Sequence, residues 1–130
     1  MKTRDIVKGA AIALVLLAPT AAFAADAAKE IATAATHAEL GAKAADIAGV
    51  QMHLHHAVNC LVGPNGKGYD VKQMNPCSAD GAGAIPDSDA AKKPALEAAA
   101  ATALSGIAAT DMKVAQKAAT DTAAALHAIK

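Results

Sequence analysis

Residues 36–63 read THAELGAKAADIAGVQMHLHHAVNCLVG, and the spacing of apolar residues in this stretch decides the fold. Leu40, Ala44, Ile47, Leu54, Val58 and Leu61 fall near one line when the chain advances about 100° per residue, with Val50 at the edge, which predicts one buried helical face. Gly63-Pro64 then supplies a residue that tolerates a left-handed cap and a residue that cannot continue the helix. Upstream, Asp26 and Thr36 are candidate N-caps. Thr36-x-x-Glu39 matches a capping box that would restart the helix after an Ala/Thr-rich lead. The expectation is a helix over about 26–62.

A second helix is expected over 94–129, with Pro94 suited to a first turn. Its stripe is Leu96, Ala100, Ala103, Ile107, Val114, Ala118, Ala125 and Ile129, and the small residues in it permit close approach of helix axes. Two helices of similar length predict an all-α fold, an Ala-rich antiparallel helical hairpin. Alanine forms helix readily but buries little area. Such a hairpin leaves apolar surface open, which points to a four-helix homodimer. Coiled-coil heptads are not sustained, because Gln51 and Asp111 interrupt the stripes, and no internal repeat is expected beyond the Ala/Thr bias.

Residues 63–93 form a long connection rich in Gly, Pro, Asn and Asp, and a loop of this length is either functional or held by something. Cys60 and Cys77 are the only cysteines. In an exported chain they pair by default, closing a loop worth roughly 3 kcal/mol on the chain-entropy model. Export is expected because residues 1–24 have the form of a signal peptide: Lys2, Arg4 and Lys8, an apolar run to Ala18, a break at Pro19 and the small-x-small end Ala22-Phe23-Ala24. The mature domain would span 25–130 and be periplasmic or secreted. No stretch approaches the roughly 20 apolar residues of a membrane span.

Cleavage would remove three of the 12 basic residues and one of the 12 acidic ones, leaving a net charge of −2. With Phe23 gone, Tyr69 is the one aromatic residue. Neither the charge nor the stacking surface for nucleic acid is present.

The chemistry-bearing residues cluster in Met52-His53-Leu54-His55-His56-Ala57-Val58-Asn59-Cys60. On a helix His53, His56 and Cys60 share a face, whereas His55 turns toward the edge of the buried stripe. Two imidazoles one turn apart suit a borderline ion such as Zn, Cu(II) or Ni(II). The candidate ligands are therefore His53 and His56 with His55, and a disulfide from Cys60 would draw Tyr69, Asp70 and Met74 of the loop toward them. The competing reading is that these histidines are a solvated helix face, with His55 partly buried. His37 and His127 are expected on the surface, away from the cluster.

Other chemistries lack their residues. Haem attachment needs Cys-x-x-Cys-His. A paired cysteine cannot act as a nucleophile. Asp80-Gly81 and Asp87-Ser88-Asp89 lack the alternating oxygens of a calcium loop. Gly63 to Gly68 lacks the Gly-Lys-Ser/Thr ending of a phosphate cradle, and turn chemistry explains it. No base, nucleophile and charge-stabilising group come together, so no enzyme is expected. The segment HLHHAVNCLVGPNGKGYDVKQMNPC resembles one in a group of uncharacterised small exported proteobacterial proteins. That resemblance implies that the His/Cys segment is a unit, and nothing about mechanism. The function read from the sequence is a non-enzymatic exported protein binding a divalent ion at the histidines. The alternative is a structural module whose stapled loop, led by Tyr69, binds a periplasmic protein.

Overall fold

The computed structural model describes residues 25–129, so the signal-peptide expectation lies outside the described residues. These contain five helices and no strand: α1 (Ala27–Ala42), α2 (Ile47–Val62), α3 (Ala84–Asp87), α4 (Lys93–Ala108) and α5 (Met112–His127). The all-helical architecture and the stapled loop are both present. Each of the two expected long helices, however, is divided into a pair of 16-residue helices.

The divisions have local causes. α1 starts at Asp26, whose carboxylate accepts a hydrogen bond from Lys29 N at 2.9 Å, and it closes when the N–H groups of Lys43 and Ala44 turn back onto Leu40 and Gly41 carbonyls. α2 restarts at Asp46, which accepts from Gly49 N at 2.7 Å. Thr36 is therefore not a cap: it sits inside α1, its hydroxyl donating to Ala32 O at 3.0 Å. In the second half α4 ends at Ala108, and Asp111 caps α5 by accepting from Val114 N at 3.0 Å. An Asp side chain competes with helical backbone bonding and is a strong N-cap, so each break falls where the chain offers one.

Folding back at each break gives a four-helix bundle within one chain, in which α1 packs on α2 and α5, and α4 packs on α2 and α5. The four helices anticipated from a dimer are thus supplied by a single copy. Leu54, Val58, Leu61, Leu96, Leu126 and a set of alanines fill the centre. The breaks also reset the helical phase. Leu40 and Val114, placed on the stripes by extrapolating through the breaks, are 44% and 57% exposed, while Val50 is fully buried.

The two halves repeat one another, against the expectation of no repeat. Gly41 and Gly106, Asp46 and Asp111, and Gln51 and Gln116 are pairs each separated by 65 residues. The buried positions Ile31, Ala34, Ala35, Ala38 and Gly41 of α1 map at the same interval onto Leu96, Ala99, Ala100, Ala103 and Gly106 of α4. Gln51, expected only to interrupt a stripe, donates from Nε2 to Ile107 O (2.9 Å) and Ala109 O (3.1 Å) at the second break. Gln116 donates to Ala44 O (3.1 Å) at the first. Each hairpin thereby satisfies carbonyls that the other hairpin's turn leaves without a helical donor.

The loop is fastened at three places. Cys60 and Cys77 form the disulfide, with Cα atoms 5.1 Å apart. Fully buried Asn59 donates from Nδ2 to the carbonyls of Asp70, Gln73 and Met74 (3.0, 3.2 and 3.2 Å) and accepts from Asp70 N (2.9 Å). Gly63 (φ 67°) and Gly83 (φ 119°) lie with their backbones against each other, where any Cβ would collide. Both positions therefore require glycine.

Candidate metal centre

The turn at residues 43–46 sets α1 antiparallel to α2, so residues at matching distances from it come together across the seam. Gly41 permits the close approach: a Cβ there would lie 3.3 Å from Val50 O and 3.4 Å from His53 Cβ. One helical turn farther from the break, His37 meets His53 and His56. Their Nδ1 atoms, His37 to His53, are 3.4 Å apart. The three ring centroids are separated by 5.1 to 5.8 Å, with the His56 ring edge-on to the other two. One nitrogen from each ring can be chosen so that all three lie within 4.8 Å of one another.

That geometry is close to what an ion requires. Ligands at about 2.0–2.1 Å in a tetrahedral shell stand about 3.3 Å apart, so His37 and His53 are already at ligand spacing, and a His56 nitrogen lies within 4.8 Å of both. His56 is 6% exposed and its Nδ1 has no hydrogen-bond partner, whereas His37 and His53 reach partly into solvent. A buried nitrogen without a partner is costly, and an ion is one way of engaging it.

Electrostatics favours the ligand form. Burial, followed by the neighbouring His56 and His53, lowers the His37 pKa. Burial, followed by His53 and His55, lowers that of His56. These two rings are therefore held neutral, with lone pairs available to a cation. Among the described residues no carboxylate or thiolate belongs to the cluster, so a divalent ion would keep its full charge there.

The sequence placed His53 and His56 on one face, and they are together. His37, assigned to the surface far from the cluster, is the third member, because the helix that would have carried it five turns away doubles back. His55 lies outside the triad, with Nδ1 3.7 Å from the Asp70 carboxylate. Asp70 and Met74 serve Asn59 through their backbones and their side chains do not belong to the triad, and Tyr69 packs partly buried against the core. His127 is exposed, as expected, and pairs with Glu39 at 2.7 Å. The signal for His37 was present in the spacing of Gly41 and Asp46, which marks a helix end and a helix start.

No family model, curated protein or solved structure matches this chain. Among the described residues no helix is long and apolar enough to cross a membrane.

Proposed function

We propose that this is a non-enzymatic exported protein, periplasmic or secreted, that holds a divalent transition ion at His37, His53 and His56 and so buffers, senses or ferries it. The observation that carries the reading is the convergence of three imidazole nitrogens from two helices within 4.8 Å. A three-nitrogen set suits Zn, Cu(II) or Ni(II) and leaves a coordination position open for a water, a partner's side chain or a receiving ligand. The disulfide supports an oxidising compartment.

The test is calorimetric titration of the oxidised chain from Ala25 with each ion. Micromolar or tighter 1:1 binding is expected in the wild type and in His55→Ala. It should be lost in His37→Ala and in His53→Ala/His56→Ala. Equal, feeble binding by all four proteins would refute the site. The ion-free protein should also lose stability relative to its His37→Ala/His56→Ala variant as pH falls below about 6.5, because unfolded His37 and His56 take up protons there that the folded protein resists. A saturating ion should oppose that loss until protons displace it. Exposed Val71, at 83%, and Met74 favour a second reading, a protein-binding loop, which predicts partner affinity indifferent to chelators.

A further inference from the structure

Glu30 is 0% exposed. It lies in the first turn of α1, where its carboxyl faces the far end of the stapled loop. Oε1 accepts a hydrogen bond from Gly83 N at 3.0 Å, and Oε2 has no partner. The acidic groups around it make ionisation costly. Asp87, on α3, acts on it from one side while its own Oδ2 accepts from Ala82 N at 2.6 Å. Asp80, in the loop, acts on it as well, and Asp80 is in turn held by Lys29 at 2.7 Å. Cys77 of the loop, in the non-titrating disulfide with Cys60 of α2, has its Sγ 3.8 Å from the Glu30 carbonyl oxygen; neither α2 nor α5 sets a titratable group against the carboxyl. In the second hairpin the equivalent position is Ala95, so the bundle itself does not require an acid here.

We propose that Glu30 is a proton-operated latch: as the neutral acid it holds residues 78–87 against α1, and on ionising it releases them. Burial, followed by the charges of Asp87 and Asp80, raises its pKa from 4.5 to about 7, although the Gly83 N–H favours the ionised form. An ionised Glu30 must either draw water into the seam or separate from Asp87. The segment that would move is a wall. Ala82, Ile85 and Pro86 close one side of an apolar cavity of about 600 Å³ whose other side is Val62, Ala100 and Leu104. Release of the latch widens that cavity.

Because the folded-state pKa is raised, the stability contributed by neutral Glu30 is complete below about pH 4.5 and is lost as pH rises through about 7. The experiment is denaturant unfolding of the ion-free oxidised protein between pH 4.5 and 8.5, wild type beside Glu30→Gln, whose amide resembles the protonated acid. His37 and His56 titrate in both proteins and cancel in the comparison. The unfolding constant of the wild type relative to Glu30→Gln should rise by roughly tenfold or more across this range. Hydrogen-exchange protection within residues 78–87 should fall with pH in the wild type alone. Parallel pH curves would overturn the latch, and so would calcium or magnesium restoring protection at pH 8, which would make the pair a cation site. Should Glu30→Gln fail to fold, carbon NMR of the Glu30 carboxyl in the unmodified protein decides: a midpoint near 7 supports the latch and one near 4.5 overturns it.

Discussion

The first hairpin, α1–α2, and the second, α4–α5, share a frame and differ in chemistry. Both use a glycine at the crossing, an aspartate at the restart and a glutamine reaching into the other's turn. Where the first carries Glu30, His37, His53, Asn59 and Cys60, the second carries Ala95, Thr102, Ala118, Ala124 and Ala125. A frame that stands in one half with small or unremarkable residues at these positions does not need the others for packing. The polar and titratable groups of the first half therefore have tasks beyond the bundle: holding the loop, gathering three imidazoles and burying one acid.

The largest effect that can break this comparison is at Asn59. Its side chain makes four partly buried hydrogen bonds to loop backbone, so Asn59→Ala should cost about 3 kcal/mol as three carbonyls and an N–H lose their partner. The equivalent Ala124 is exposed, and Ala124→Asn should move stability by no more than about 0.7 kcal/mol, the difference in helix propensity. Denaturant unfolding of the two variants measures both. Similar losses in the two would mean that the halves are not specialised as described.

A smaller effect sharpens the shared part of the frame. At Gly106 a Cβ would lie 2.6 Å from Leu54 Cδ1 and 2.8 Å from Ala118 Cβ, and the second of these cannot swing away. Gly106→Ala should therefore destabilise by about 1–3 kcal/mol through overpacking. At Gly41 the nearest atoms are 3.3 to 3.5 Å away, and the roughly 0.5–1 kcal/mol gained by replacing a helical glycine offsets a tight but tolerable contact. Gly41→Ala should be close to neutral in the same measurement. A large loss there would show that the α1–α2 seam, which carries the histidines, is as tight as the α4–α5 seam.

The helical class, the disulfide and the facing pair His53/His56 could be read from the sequence because each rests on local spacing or on a count of two cysteines. What could not be read follows from two short breaks, of four and three residues. In an Ala-rich stretch the apolar stripe is almost continuous across a break, since alanine satisfies a buried and an exposed position equally well. The period alone therefore ran straight through 43–46 and 109–111. The markers were Gly41 with Asp46 and Gly106 with Asp111, each a glycine five residues before an aspartate. Once the first break is missed, His37 is carried far from its partners. Glu30 gave no sign because a charged residue in a first helical turn is ordinarily a solvated cap residue. Only the returning loop buries it.

A further comparison concerns the glutamines, which bind the two halves to each other. Gln51 gives two hydrogen bonds to the second turn and Gln116 gives one to the first, all of them partly buried. Each bond is worth about 1 kcal/mol net, and water can reach part of what is lost, so Gln51→Ala should cost about 1–2 kcal/mol and Gln116→Ala about half of that. If the exchange is reciprocal in energy as well as in geometry, each variant should loosen the opposite hairpin's turn. Hydrogen exchange would then show faster opening near Ala109 in Gln51→Ala and near Ala44 in Gln116→Ala. Loosening of each variant's own helix instead would mean that the glutamines serve α2 and α5 locally. The cross-bracing that makes the two hairpins one bundle would then rest on apolar packing alone.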